Sequence, residues 1–423
     1  MGEFKWSKGK LLAVMLAGFL VKTPFLLHVH PLTYGDARGY YTLAKNLSER
    51  EVFSRDTVPP YRPDHFRTPG YPLFLASLYK IGIKAPRLHV LVNAMLSSLT
   101  AGLLYIFAGE LAGWLWVLNP LAFLFSLDLM TESTFLLLFI LGLLLVMKKH
   151  LWYSALGGAV WGYAILTRPA ALFLPLLLFW TVKGLKRKLL FAGSMLALLV
   201  PWLIRNQILF GRPFFSSVFY YNISFFNFQY CLSKKWKVSR EESSIRFFNQ
   251  VAEKQGWNVR IDDSAAVHQY YIDPRFSPAL FSESVREILN DPKCYFKAHL
   301  FNTLKLMFPV PPGHLTMLFG GKAKPSGYFT SLLSKGPSSL IKGLRSYPIH
   351  EQIFIGYAIL FYITFYSIIF YSLVKSAKKC KFNAFTLILL AVALYFYLLP
   401  GVPTPRLRLP GELALTAMLR FWD

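Results

Sequence analysis

The chain has 423 residues, 54% of them hydrophobic, and a formal net charge of +25. Soluble domains carry fewer apolar residues, and here these stand in long uncharged blocks, which excludes an ordinary soluble domain. The lysine clusters fall between those blocks, so the charge reads as membrane orientation and attraction to anionic headgroups, and not as nucleic-acid binding.

Lys5, Lys8 and Lys10 precede the first apolar run, about 9–28. No convincing small-residue cleavage site follows it, so the run is read as a retained first helix with a cytoplasmic N-terminus. Residues 29–86 then form a long external loop. Within it Asp36 fits the N-cap of an amphipathic helix whose apolar face is Tyr40, Leu43, Ala44 and Leu47. The same carboxylate, kept ionised by the helix N-terminus, also suits a base. Further on, Arg67-Thr68-Pro69-Gly70-Tyr71-Pro72 is a rigid turn into a second amphipathic helix, with Gly70 supplying an unusual dihedral. Such a turn holds Arg67 at the interface, where a snorkelling arginine is equally at home.

A second span, about 88–108, returns, and spans at about 112–128 and 131–147 make a hairpin turning outside. Asp128 and Glu132 would share a face if that hairpin were helical; a divalent cation and a solvated tip explain them equally. Spans at about 151–167, 169–182 and 189–204 follow, with Arg168 and Arg205 at outer ends, where a cation also complements the helix dipole. Residues 205–349 are an external, mostly helical segment. Its stretches Glu241–Gln255, Phe281–Asn290 and Tyr295–Phe308 are amphipathic and are punctuated by Pro274, Pro278, Pro292, Pro309, Pro311 and Pro312. Ile288, Tyr295, Phe296, Leu300, Leu304 and Met307 suggest helices lying on the bilayer surface. The Tyr- and Phe-rich run 214–230 reads as an interfacial belt. Spans at about 350–374 and 383–399 come next. A short helix then runs from about 409, with Arg420 and Asp423 placing its end just inside the membrane. The expected fold is an all-α polytopic membrane protein with about ten spans: a module over 1–204, the external segment 205–349 and C-terminal spans over 350–423.

Lys148, Lys149 and His150, the cluster Lys183–Lys188, and Lys375, Lys378, Lys379 and Lys381 all fall on the cytoplasmic side of this threading. Asp36, Arg67, Glu132, Arg168, Arg205, Arg406 and Arg408 all fall at the outer rim. Charges near a bilayer are costly, and arginines gathered with two carboxylates suit a phosphate site beside an acid/base group. Cys231, Cys294 and Cys380 have no metal-ligand spacing; free thiols are expected, a Cys231–Cys294 bridge being open only if both lie outside the cell. His65 and His314 lack partners at ligand spacing, and no phosphate-binding glycine loop, dinucleotide motif or nucleophile elbow is present.

The order of these pieces resembles the GT-C class of polytopic glycosyltransferases, which use lipid-phosphate sugars. The class includes bacterial aminoarabinose and other lipid A glycosyltransferases and protein O-mannosyltransferases. The likeness runs through YGDARGYYTLAKNL, FRTPGYPLFLASLY, NPLAFLFSLDLMTESTFLLL, ILTRPAALFLPLL, PWLIRNQILFGRPFFSS and PRLRLPGELAL. It implies Asp36 as catalytic base with Glu132 as second acidic residue. It also implies Arg67, Arg168 and Arg408, with Arg205 and Arg406, on the donor phosphate. Tyr40, Tyr71 and His65 become candidates for the substrate pocket. Where relatives acting on lipid A carry a metal-binding glutamate near that turn, this chain has Arg67, so a divalent cation stays open. The implied partners are a polyprenyl-phosphate-linked sugar, a lipid, glycan or protein acceptor, and membrane lipids. The implied place is the plasma (inner) membrane, with the active site outside. A transporter or flippase of a lipid-linked anion, or a surface-polysaccharide ligase or polymerase, would also use such arginines. A transporter more often shows repeated halves and a midplane site, and neither is visible.

Overall fold

The computed structural model describes residues 6–32, 35–311, 313–321, 342–378, 383–402 and 404–421. Lys5, Tyr34, Pro312, Lys379, Cys380, Lys381 and Asp423 lie outside these. Among the described residues every regular element is helical.

Among the described residues, four helical segments are long and apolar enough to cross a membrane: Lys8–Leu26, Pro86–Ala108, Leu185–Phe210 and Ile349–Lys378. The first consists of α1 (Lys8–Leu20) and α2 (Thr23–Leu26), where Pro24 starts a new turn after a break at Val21-Lys22. After it come α3 (Gly35–Arg50), α4 (Gly70–Lys80) and α5 (Pro86–Ala108), the most buried of the four spans. The expected continuous span at 112–128 is interrupted. It consists of α6 (Glu110–Val117) and α7 (Pro120–Ser126), because Pro120 has no amide hydrogen to continue a helix and Asn119 caps the new one through the Ala122 amide. Next stand α8 (Glu132–Met147) and α9 (Leu151–Thr167). The span expected over 169–182 is a 3-10 turn, Pro169–Ala171, followed by α10 (Leu174–Phe179). Glu132–Met147, Pro169–Phe179 and Ala384–Leu398 are apolar but shorter than a full crossing.

α11 (Leu185–Phe210) packs closely on α9. Gly158 and Gly162 lie one turn apart on α9, and a Cβ at either would sit 2.0 Å from the Phe191 carbonyl oxygen or 2.9 Å from that of Met195. Small residues four apart let two backbones meet where lipid supplies no hydrophobic drive. Leu12, Leu16 and Leu20 of the first span, Leu189, Leu196, Ile204 and Ile208 of α11, and Ile353, Leu360, Ile363 and Phe370 of the later span are exposed. An apolar exterior of that extent belongs in hydrocarbon.

The segment expected to hug the bilayer surface instead builds a second hydrophobic core. It contains α12 (Val218–Tyr221), a π-helix Asn222–Asn227, α13 (Phe228–Trp236), α14 (Arg240–Lys254), α15 (Ser264–Ile272), α16 (Ser277–Asn290) and α17 (Pro292–Leu306). Phe228, Leu232, Phe247, Phe248, Val251, Tyr271 and Leu280 are its centre, with Ile288 and Tyr295 packed against it. Part of the aromatic run 214–230 therefore faces inward, because Tyr221, Phe225 and Phe228 serve this core. The bilayer-surface pattern survives on α17, where Phe296, Leu300, Leu304 and the following Met307 are exposed. Contrary to expectation, Cys231 and Cys294 are bonded as a disulfide, which ties α13 to α17.

α18 (His314–Leu318), α19 (Ile349–Lys378), α20 (Ala384–Leu398) and α21 (Leu409–Ala417) complete the fold. α21 is buried along its whole length and packs against α5, α6, α8 and α20. The second core is fastened to these elements by polar groups: His299 Nε2 lies 2.6 Å from the Leu398 carbonyl, and the Asn302 amide donates to the Gly401 carbonyl at 3.2 Å.

Candidate functional site

Five of the residues singled out in the sequence meet in one chain of ion pairs. Asp36 stands in the first turn of α3, and one of its oxygens accepts from Arg67 Nη2. The other accepts from Arg406 Nη2 at 2.8 Å. Arg406 Nε lies 3.9 Å from Glu132 Oε1, and that oxygen accepts from Arg168 Nη1 at 3.0 Å. The order is thus Arg67, Asp36, Arg406, Glu132, Arg168, drawn from residues up to 370 positions apart.

Local sequence explains how each arm is aimed. Arg168 precedes Pro169, which disfavours helical backbone in the residue before it; Arg168 is extended at φ −147°, ψ 100°. Its side chain leaves the end of α9 toward Glu132, the first residue of α8. Gly70 does not supply an unusual dihedral, for it is absent from the left-handed glycines. It permits close approach: a Cβ there would lie 2.5 Å from the Thr167 nitrogen, and Tyr163 Oη donates to the Gly70 carbonyl at 2.8 Å. The turn carrying Arg67 is thereby pressed against the segment carrying Arg168.

Asp64, which sequence reasoning passed over, holds the Arg67 turn. It is buried, accepts from the Arg67 amide at 2.8 Å and pairs with Arg55 Nε at 2.5 Å. Its place three residues ahead of Arg67, in a proline-flanked loop, is the signal that could have found it. Met130 was missed too; its sulfur lies 3.6 Å from Arg406 Nη1. Nothing in the sequence distinguishes that methionine from a core residue.

Tyr40 belongs to the site. Its hydroxyl accepts from Arg67 Nη1 at 3.3 Å, and the Arg67 guanidinium lies 4.8 Å from its ring centroid and the same distance from that of Phe66. Tyr71 supports from behind and is fully buried. It packs edge-on against Tyr40 at 5.2 Å, and its hydroxyl accepts from Asn93 at 2.9 Å. His65 is elsewhere: its Nδ1 lies 3.0 Å from Ser217 Oγ and its ring meets Phe210. Burial holds this imidazole below its usual range.

Two arginines assigned to the donor phosphate sit outside the network. Arg205 lies within α11, not at its end, and donates to the Asp64 carbonyl at 2.9 Å and to Asn206 at 2.7 Å, with its guanidinium over Trp202. It braces the loop. Arg408 is wholly buried, donating to Glu412 at 2.6 Å and to the carbonyls of Leu306, Phe308 and Pro309. Asp128 and Glu132 do not act as a pair either, because the chain between α7 and α8 is a turn. Asp128 faces His314 at 3.5 Å while Glu132 faces Arg168. Both are buried, which rules out a solvated tip. Among the described residues, no group of three His, Cys, Asp or Glu side chains is placed to hold a metal ion.

Burial opposes charge on Asp36, but Arg67 and Arg406 outweigh it and hold the carboxyl well below the usual carboxylate range. Three guanidiniums against two carboxylates leave one positive charge uncompensated within the network. The Nε groups of Arg67 and Arg406 are buried and make no hydrogen bond among the described residues. Side-chain exposure rises from 2% at Glu132 to 31% at Asp36, so the network opens on the Asp36 side. Such an arrangement favours a monoanion carrying several acceptor oxygens. No family model matches the chain and neither does any curated protein.

Proposed function

We propose that the chain is a glycosyltransferase of the GT-C kind. In this reading it moves a sugar from a polyprenyl-phosphate donor to a lipid, glycan or protein acceptor at the external face of the plasma (inner) membrane. The observation that carries the reading is the Arg67–Asp36–Arg406–Glu132–Arg168 network, with its one surplus positive charge. A phosphodiester linking lipid and sugar has one negative charge and matches that surplus. The Cys231–Cys294 disulfide supports an external second core, since such bonds persist in oxidising compartments. With the basic loops inside, the N-terminus is cytoplasmic, and about ten crossings are reached in this reading by adding the three shorter apolar helices, the α6–α7 pair, α9 and α21 to the four long spans.

In the reaction, the acceptor oxygen or nitrogen bonds to the anomeric carbon as the bond from that carbon to phosphate oxygen breaks. The acceptor proton passes to Asp36. The electron pair of the broken bond leaves on phosphate, which gains a second negative charge, and Arg67 and Arg406 are the groups placed to stabilise it. Attack opposite to the leaving phosphate inverts the anomeric centre. The Glu132–Arg168 pair anchors Arg406 from behind.

Purified protein given a labelled polyprenyl-phosphate sugar and an envelope extract is expected to transfer the label and release lipid phosphate. Movement of the intact lipid across a bilayer without cleavage would instead identify a transporter. Correctly inserted Asp36→Asn and Arg67→Ala proteins that transfer sugar at the wild-type rate would sink the assignment.

A further inference from the structure

Paired as it is with two guanidiniums, Asp36 is poorly suited to accept a proton. Each of its oxygens is engaged by a guanidinium, Arg67 on one side and Arg406 on the other. A carboxylate held that way is stabilised as the anion and is a weak base. The two arginines are meanwhile underused, since each has a buried Nε with no hydrogen bond among the described residues. Arg168, by contrast, is turned inward to Glu132, whose side chain is 2% exposed. Glu132 therefore stays in place when a ligand arrives, and Asp36, the most open member of the chain, does not.

We propose that Asp36 is the resident counter-ion of an anion-exchange site: a phosphate-bearing ligand takes Arg67 and Arg406 from the carboxylate, and the carboxylate, so released, becomes the base. The reading of the ligand as a lipid phosphate rests on the function proposed above; the exchange itself needs only an anion with several acceptor oxygens. Arg67 presents one flat guanidinium edge through Nε and Nη2, so a phosphate there satisfies its unbonded Nε together with the Nη2 that Asp36 gives up, while Arg406 offers its Nη2 and keeps Nε turned to Glu132. The groups that face Asp36 are Arg67, Arg406 and Tyr40, with Glu132 beyond Arg406. Once the two cations are shared with phosphate, the rest of that set no longer favours the ionised form, and Asp36 recovers proton affinity. Base strength thus appears only in the loaded site.

The exchange has an outcome that simple cooperation between Asp36 and the ligand does not. If carboxylate and phosphate compete for the same guanidiniums, removing the carboxylate must strengthen phosphate binding. Full-length protein in nanodiscs of neutral lipid would be titrated calorimetrically with farnesyl phosphate and with inorganic phosphate, the first reporting lipid phosphate and the second free anion. Asp36→Asn is expected to bind both at least about tenfold more tightly than wild type, the scale on which one adjacent charge acts. Arg67→Gln and Arg406→Gln are expected to bind both more weakly. Tighter binding of farnesyl phosphate alone also supports exchange and assigns the source to lipid. Unchanged or weaker binding of both by Asp36→Asn overturns the proposal. Should that variant fail to fold, the wild-type protein with isotope-labelled aspartate decides by difference infrared spectroscopy. Farnesyl phosphate must then shift a carboxylate band, and an unshifted spectrum at saturation overturns the proposal. Sugar transfer with no tightening removes the exchange and spares the glycosyltransferase; tightening without transfer does the reverse.

Discussion

Arg406 and Arg408 stand two residues apart in one 3-10 turn, yet they do opposite work. Arg408 is wholly buried, and its donors are taken up by Glu412 and by the carbonyl groups of Leu306, Phe308 and Pro309 at the end of α17 and just after it. The Asn119 amide and the Tyr362 hydroxyl complete the partner, Glu412. Arg406 is 23% exposed, shares its contacts between two carboxylates and a sulfur, and has an Nε that lies 3.9 Å from Glu132 Oε1 and makes no hydrogen bond among the described residues. Saturation, not residue type or position along the chain, separates a clasp from a site. A buried charge whose bonds are all made holds the fold together, whereas one with bonds to spare is prepared for a ligand.

The largest effect expected from this contrast is on folding. Arg408→Ala leaves Glu412 charged and buried without its cation, at a cost of about 3–5 kcal/mol, read as a fall in the thermal midpoint in detergent. Arg406→Ala is expected to cost far less, and equal losses for the two would break the comparison. Next comes Asp36→Asn, for which sugar transfer should drop by about 10²–10⁴-fold in a folded protein, measured with a labelled donor. The same position gives a pH signature. Because the folded-state value of Asp36 is depressed, its stabilising contribution is complete above its ordinary value of 3.8 and is lost as pH falls from there toward the folded-state value. Thermal midpoints of wild type and Asp36→Asn should therefore differ by a constant amount down to about pH 4 and converge below it.

A smaller and localised effect is expected for Cys231→Ser. The bridge spans 63 residues, and its loss should cost about 2–4 kcal/mol in the second core. Hydrogen exchange should rise across α13 to α16 and stay unchanged in α8 and α9. Smallest is Arg205→Leu, which removes two hydrogen bonds that brace the loop. At about 0.5–1.5 kcal/mol per bond, it should weaken the loop while transfer stays within about tenfold of wild type. A loss of transfer as deep as that of Asp36→Asn would return Arg205 to the proposed phosphate site.

Much of the site was legible because its residues carry strong local constraints. An arginine before a proline, an aspartate near a helix start, and a glutamate at the head of an apolar helix are each unusual near a membrane, and all three belong to one chain of ion pairs joined through Arg406. That Tyr71 packs behind Tyr40 and His65 meets Ser217 could not be read from the sequence, since local position does not say whether an aromatic ring faces a cleft or a neighbouring element. Gly70 was given the wrong reason. Its need for a missing side chain comes from Thr167, nearly a hundred residues away, and no local dihedral rule reports that. The external segment was misread for a similar cause: an amphipathic stripe looks the same whether lipid or a second protein core covers it. Asp64 escaped because its partners, Arg55 and the Arg67 amide, are ordinary in composition.

The sequence by itself determined that the chain is helical and apolar enough for a membrane, and that Asp36, Glu132 and Arg168 stand at helix ends. Those properties follow from hydropathy, proline chemistry and the cost of burying charge, all of which act over a few turns. Only the tertiary structure decided which arginine meets which carboxylate, that Arg408 is consumed by carbonyl groups while Arg406 is not, and that Cys231 reaches Cys294. Such pairings depend on the relative placement of helices hundreds of residues apart, and hydrogen-bond saturation is a property of the assembled neighbourhood that no single segment contains.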